Sequence, residues 1–162
     1  MVISMRIEFD VKVNAKVLYN YMLYHNYKSF SGIFGTMVGA FMILGFTMEG
    51  SIPLLFAGLI VLFYTPYTLF MKSRQQSLKP AFKHPLHYVM TEEGLMVSQG
   101  EAEEFQSWEQ MIRAVSTAQS IIIYTSKVNA AIFPRVDLAE KEMKVIEMIS
   151  THMPPDKVKI KS

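Results

Sequence analysis

The side chains able to do chemistry are few and dispersed. The chain has four histidines and no cysteine, so a disulfide, a thiolate metal site and a thiol nucleophile are all excluded. Of the histidines His25, His84, His87 and His152, two stand three apart, but Pro85 between His84 and His87 blocks the regular helix that would aim both rings at one ion. No H-E-x-x-H motif, G-x-S-x-G elbow, P-loop or G-x-G-x-x-G loop is present. Glu92-Glu93 and Glu101, Glu103 and Glu104 fall where turns are expected. An acid–base pair needs surroundings that separate its two pKa values, which solvated turns do not supply. These patterns predict no catalytic residue, no cofactor and no metal. A membrane enzyme or small transporter subunit is the alternative reading, and it rests on His84, His87, Glu92 and Glu93.

Charge offers a second kind of site. Lys72, Arg74, Lys79 and Lys83 form a basic run. Beside an anionic leaflet each well-placed cation is worth about 1 kcal/mol. The same residues would equally serve only to fix membrane topology. Arg113 and Arg135 extend that basic face if folding brings them to it. The net charge of +2 is too small to predict nucleic-acid binding.

The elements that position these residues begin with a stretch almost devoid of charge. From Ser29 to Met71 the one charged side chain is Glu49, whereas a soluble surface needs charges at short intervals. Two apolar runs fill the stretch, Phe30–Met48 and Ser51–Met71. Each is close to the roughly 20 helical residues that cross a bilayer. Glu49-Gly50 reads as the turn of a helical hairpin, and Pro53 suits the first turn of its second helix. Pro66 lies inside that helix. Neither run carries an ionisable residue away from its end, which argues against ion-coupled transport or intramembrane catalysis.

Lys and Arg flank the hairpin on both outer sides: Arg6, Lys12, Lys16 and Lys28 before it, and the basic run after it. The positive-inside rule therefore predicts both termini in the cytoplasm. Tyr19, Tyr21, Tyr24, Tyr27, Tyr64 and Tyr67 supply rings suited to the headgroup level. The polar first 28 residues do not fit a cleaved signal peptide. Ser31, Gly35 and Gly39 repeat every four residues, a small-residue stripe that lets another helix approach. Its occupant is either the second helix of the hairpin or a second copy of the chain in a homo-oligomer.

Ile3–Phe9 alternates as a strand, and Asn14 is placed to cap a helix from Ala15 that continues into the first apolar run. Beyond residue 80 the pattern changes to short strands: Leu86–Thr91, Leu95–Gln99, Glu104–Trp108, Ile112–Thr117, Ile121–Thr125 and Ala130–Pro134. Gly94 suits a turn with positive φ. A helix is expected over Asp137–His152, stopping before Pro154-Pro155. The predicted organisation is an N-terminal strand and amphipathic helix (1–28), the hairpin with a helical extension (29–79), a β domain with its C-terminal helix (80–155), and a frayed basic tail (156–162). The fold class is α+β: a two-helix transmembrane hairpin plus a small curved antiparallel sheet capped by a helix.

Thr91, Glu93, Gly94 and Leu95 in the first turn, Trp108 and Ile112 after the third strand, Tyr124 in the fifth, and Ile132, Pro134 and Arg135 at the last follow the hairpin in that order. This arrangement resembles the bacterial YcxB-like membrane proteins, whose C-terminal domain is related to pleckstrin-homology-like domains. The resemblance implies such a fold in the bacterial cell membrane and brings no reaction or catalytic residue with it. Trp108 reads as a core plug, with a ligand-stacking surface as its functional alternative. Together these readings predict a non-enzymatic membrane protein whose cytoplasmic domain binds a protein partner or an anionic lipid headgroup.

Overall fold

The computed structural model describes residues 5–127 and 129–160. Two compact units make up the chain: the segment up to Val17 together with Lys79 onward, and Leu18–Leu78.

In the helical unit, α1 spans Ala15–Lys28, α2 Phe30–Glu49 and α3 Ile52–Ser77. Asn14 caps α1 as expected, its Oδ1 accepting the Val17 N–H at 3.0 Å. The expected continuation of α1 into the apolar run is corrected by Ser29. Its backbone is extended (φ −83, ψ 152), and its hydroxyl accepts the Gly32 N–H at 3.2 Å while donating to the Asn26 carbonyl at 2.6 Å. A hydroxyl that serves a first-turn amide ends one helix and begins the next. At the far end of α2, Gly50 takes φ +67 and returns its N–H to the Phe46 carbonyl at 2.8 Å, closing the helix as glycine caps do. Pro53 stands in the first turn of α3 and Pro66 inside it, and α3 ends at Ser77, before Pro80.

Helices α2 and α3 are long and apolar enough to cross a membrane. A helix in a soluble core would bury its aromatic rings, yet Phe34, Phe41, Phe56 and Phe63 are all more than half exposed. The helices meet along a seam of small residues. A Cβ on Gly39 would lie 2.7 Å from Leu62 Cγ and 3.2 Å from the Gly58 carbonyl, and one on Gly58 would lie 2.9 Å from the Gly39 carbonyl.

The second unit is built of β1 (Ile7–Val11), β2 (Leu86–Met90), β3 (Gly94–Gln99), β4 (Ala102–Ser107), β5 (Arg113–Ser116), β6 (Ser120–Tyr124), β7 (Ala130–Pro134) and β8 (Val158–Lys159). They form two four-stranded sheets, β1-β2-β3-β4 and β7-β6-β5-β8, rather than the one sheet expected. The first is antiparallel; the second is mixed, because β8 runs parallel to β5. Of the expected N-terminal strand, Ile3 lies outside the described residues, and the paired segment runs on to Val11. There Ile7, Phe9 and Val11 turn inward. Segment 1–28 thus supplies a strand to the β domain.

Aromatic rings join the two sheets. Phe9 and Tyr88, cross-strand partners, stack at 5.8 Å, and Phe133 from the second sheet meets both edge-on at 5.1 and 4.9 Å. Such pairs contribute about 0.5–1.5 kcal/mol each beyond the area they bury. Strand β6 is buried at every residue.

Three further expectations are corrected. The helix over 137–152 is divided into α4 (Arg135–Leu138), a short helical turn (Ala139–Lys141) and α5 (Glu142–His152). Ala139, at φ +46, makes the bend. The reason is competition between anchors: Arg135 N–H reaches the Gln119 carbonyl at 2.9 Å and Asp137 takes the Lys12 N–H at 3.0 Å, while α5 buries Val145, Met148 and Ile149. Gly94 has no positive φ. It is required because a Cβ there would sit 2.2 Å from the Gln106 carbonyl. The tail, expected to fray, forms β8, with Val158 against Ala114 and Lys159 against Val115. Lys161 and Ser162 lie outside the described residues.

Candidate functional site

The β unit carries a partly polar groove of about 630 Å³ beside the outer edge of β1. Strand alternation turns Glu8 and Asp10 out of the core. Register sets His87 of β2 opposite Asp10, and the two side chains meet at 2.7 Å. The opposite wall is the bend between α4 and α5, which contributes Asp137, Glu140 and Lys141. Lys141 Nζ donates to the Glu8 carbonyl at 2.6 Å, and Asp137 accepts the Lys12 N–H. His87 and Asp10 are both well exposed, so their pairing is screened and adds little stability.

The sequence-derived candidates lie elsewhere or apart. The His84 carbonyl, with that of Ala81, accepts from the Gln99 side chain at 3.0 and 2.9 Å, pinning the loop before β2. His87 engages Asp10, and Glu92 and Glu93 occupy the exposed β2–β3 turn. The four make no common site. Among the described residues no group of three or more His, Cys, Asp or Glu is arranged to hold a metal ion. His25 stacks on Tyr21 at 5.9 Å, and His152 on Trp108 at 5.5 Å. Trp108 is buried and donates its indole N–H to the Thr91 carbonyl at 2.9 Å, which is the core-plug role.

Of the basic run, Lys72 and Arg74 lie exposed near the end of α3, with the Arg74 guanidinium 5.7 Å from the Phe70 ring. Lys79 and Lys83 belong to the β unit, where they flank the short turn Pro80–Phe82 and are exposed. Arg113 covers the Tyr124 ring at 4.8 Å. Arg135 is held by Glu142 and by the Thr117 carbonyl, so it is not available to a basic face.

The small-residue stripe is divided. Gly39 packs on α3, whereas a Cβ at Gly35 would meet nothing within 4 Å, and Ser31 is exposed. Burial pushes Tyr21 above its ordinary pKa. Burial, with the neighbouring Glu104 carboxylate adding to it, pushes Tyr88 up to about 12. Asp10, Glu140 and Lys141 carried no sequence signal beyond their charge, and Asp137 only that of a helix start, because the groove exists only once β1 and the α4–α5 bend meet.

No protein-family model, curated protein or solved structure matches this chain.

Proposed function

We propose that the chain is a non-enzymatic membrane protein of the YcxB-like kind. Its hairpin anchors a pleckstrin-homology-like domain at the cytoplasmic face of the bacterial cell membrane, where the domain binds a protein partner or an anionic lipid headgroup. The observation that carries this reading is the outward display of Phe34, Phe41, Phe56 and Phe63 on two helices of spanning length. Water solvates such a surface poorly and lipid solvates it well. The pairing of β1 with β2 supports the topology: these strands flank the hairpin on either side, so both flanks must lie on one face of the membrane. The basic flanks favour the cytoplasmic face. Lys72, Arg74, Lys79 and Lys83 are exposed and free to meet headgroup phosphates. Tethering at the surface raises effective concentration, so a weak site suffices. An enzyme or transporter subunit would need His84, His87, Glu92 and Glu93 to converge, and His87 engages Asp10 instead.

The absence of cysteine makes the test direct. Single cysteines replace Glu49 at the hairpin turn and Lys157 near the C-terminus. In intact cells a membrane-impermeant maleimide should label the first and reach the second only after lysis. Release of the protein by alkaline carbonate, or labelling of Lys157→Cys in intact cells, would overturn the anchoring or the orientation. Pull-down in mild detergent, with mass spectrometry of bound protein and lipid, then tests the interaction role.

A further inference from the structure

Strand β1 is the outer strand of its sheet, and the phase of its free edge can be worked out residue by residue. In an antiparallel ladder, the backbone groups of successive residues point alternately to one neighbour and to the other side. Thr91 donates its N–H to the Gly94 carbonyl at 2.9 Å, so residue 91 faces β3, and in step with it so do Val89 and His87. Leu86, Tyr88 and Met90 therefore face β1, where Val11, Phe9 and Ile7 are their partners. Glu8, Asp10 and Lys12 are left facing away from the sheet. Three contacts agree with this phase. Lys141 reaches the Glu8 carbonyl, Asp137 reaches the Lys12 N–H, and the Asp10 and His87 side chains touch, as they do in the closer, non-hydrogen-bonded type of pair.

Natural edge strands are commonly protected by charged side chains. Here two such caps close the edge at Glu8 and at Lys12, one on each side of Asp10. The N–H and C=O of Asp10 open on the groove between them, with no cap of their own among the described residues. Both caps are single side-chain contacts at the rim, and an incoming backbone can replace each of them with a ladder bond. Carboxylates outnumber cations around this backbone: Glu8, Asp10, Asp137 and Glu140 line the groove with Lys141 and with His87, which pairs with Asp10, while Arg6 engages Glu8 from beside it.

We propose that the groove takes an extended basic peptide segment, which adds to the first sheet as a fifth strand by pairing with the N–H and C=O of Asp10. Main-chain bonds hold such a strand, and its alternate side chains are read by the groove. Basic residues at every second position meet the carboxylates. This rests on the interaction-module reading and names its ligand class.

The test uses the full chain in a neutral maltoside detergent and two fluorescent peptides, Lys-Val-Lys-Val-Arg-Val-Lys and its counterpart with glutamate at each basic position. Anisotropy should report saturable binding of the basic peptide, weakening as salt rises, and none of the acidic one. Asp10→Pro removes the side-chain carboxylate together with an N–H that points away from β2, so the ladder to β2 keeps its bonds and the fold is retained. It should weaken binding at least about tenfold, the equivalent of about 1.4 kcal/mol. Glu140→Lys leaves the backbone untouched and should weaken it severalfold. If Asp10→Pro unfolds, Glu140→Lys decides. Failure of the wild type to bind, equal binding of both peptides, or unchanged affinity in the variants would overturn the proposal. A pull-down that returns the same partner or lipid from wild type and Glu140→Lys would leave the interaction module standing and remove the groove from it.

Discussion

Isoleucine at Gly39 should unseat the helical hairpin, while the same change at Gly35 should not. A Cβ at Gly39 lies 2.7 and 2.8 Å from two carbons of Leu62 and 3.2 Å from the Gly58 carbonyl. Carbon atoms rest at about 3.5–4.0 Å, so Leu62 must retreat by roughly 1 Å before isoleucine's remaining three carbons are placed. The backbone at Gly58 cannot retreat alone, because it belongs to the continuous hydrogen-bonded helix α3. The helices must separate, and overpacking of this kind costs about 1–3 kcal/mol. At Gly35 nothing lies within 4 Å, and replacing a mid-helix glycine gains a few tenths of a kcal/mol in helix propensity. Thermal melts of the full chain in maltoside, followed by helical ellipticity, should show a lowered midpoint for Gly39→Ile and an unchanged or slightly raised one for Gly35→Ile. Equal midpoints, or a larger loss at Gly35, would refute the assignment of the seam. The same pair of variants separates the two occupants of the stripe. If a second copy packs on the Ser31–Gly35 face, Gly35→Ile lowers the mass seen by light scattering while leaving the melt intact.

Tyr88 should make the β unit sensitive to alkali. Its folded pKa lies above the unfolded value of 10.0, at about 12, so the native state holds this proton more tightly. The stabilisation is complete below pH 10 and is lost as pH rises towards 12, about 3 kcal/mol in all; Tyr88→Phe should lack this alkaline loss, and an identical profile would refute it. Trp108→Phe leaves the Thr91 carbonyl without its indole donor and should cost about 1–3 kcal/mol, read as a lowered thermal midpoint. Ala139→Gly should raise the midpoint by the equivalent of about 1 kcal/mol, since φ +46 at a non-glycine residue is strained; a fall would show that the alanine methyl matters more than the backbone.

How far each feature was legible depended on the range of the interaction that makes it. Helices α2 and α3 follow from composition over about 20 residues, and nothing distant competes with that signal. Strands β2, β3 and β5–β7 emerge from alternation between turn residues, to within a residue or two. Ser29 was a local cap signal, but it lay between an amphipathic pattern and an apolar one, and the continuous periodicity concealed the break. Two residues, Val158 and Lys159, carry no strand signal by themselves; β8 exists because β5 offers an edge. Gly94 was correctly singled out for the wrong reason, since a turn glycine and a glycine required by close backbone approach look alike in sequence. The groove was beyond sequence reasoning altogether: Lys141 and Glu8 are 133 positions apart, and Asp137 and Lys12 are 125 apart. His84, His87, Glu92 and Glu93 suggested a site through nearness along the chain, but the extended strand β2 (Leu86–Met90) holds the two histidines at one end and the two glutamates beyond the other.

The β1–β2 pair also constrains what the hairpin can be. Val11 and Leu86 are direct cross-strand partners, yet every residue of α2 and α3 lies between them in the chain. An insertion between two hydrogen-bonded strands must return to the point from which it departed. If it crosses a membrane it must do so an even number of times, since a single crossing would strand β1 on the far side and leave β2 with an open edge. The two apolar helices and the turn at Gly50 meet that requirement. Losing one helix would therefore damage both units. Deletion of α3 should expose β2 as an edge and make the β unit aggregate, whereas deletion of α2 and α3 together should leave β1 free to pair.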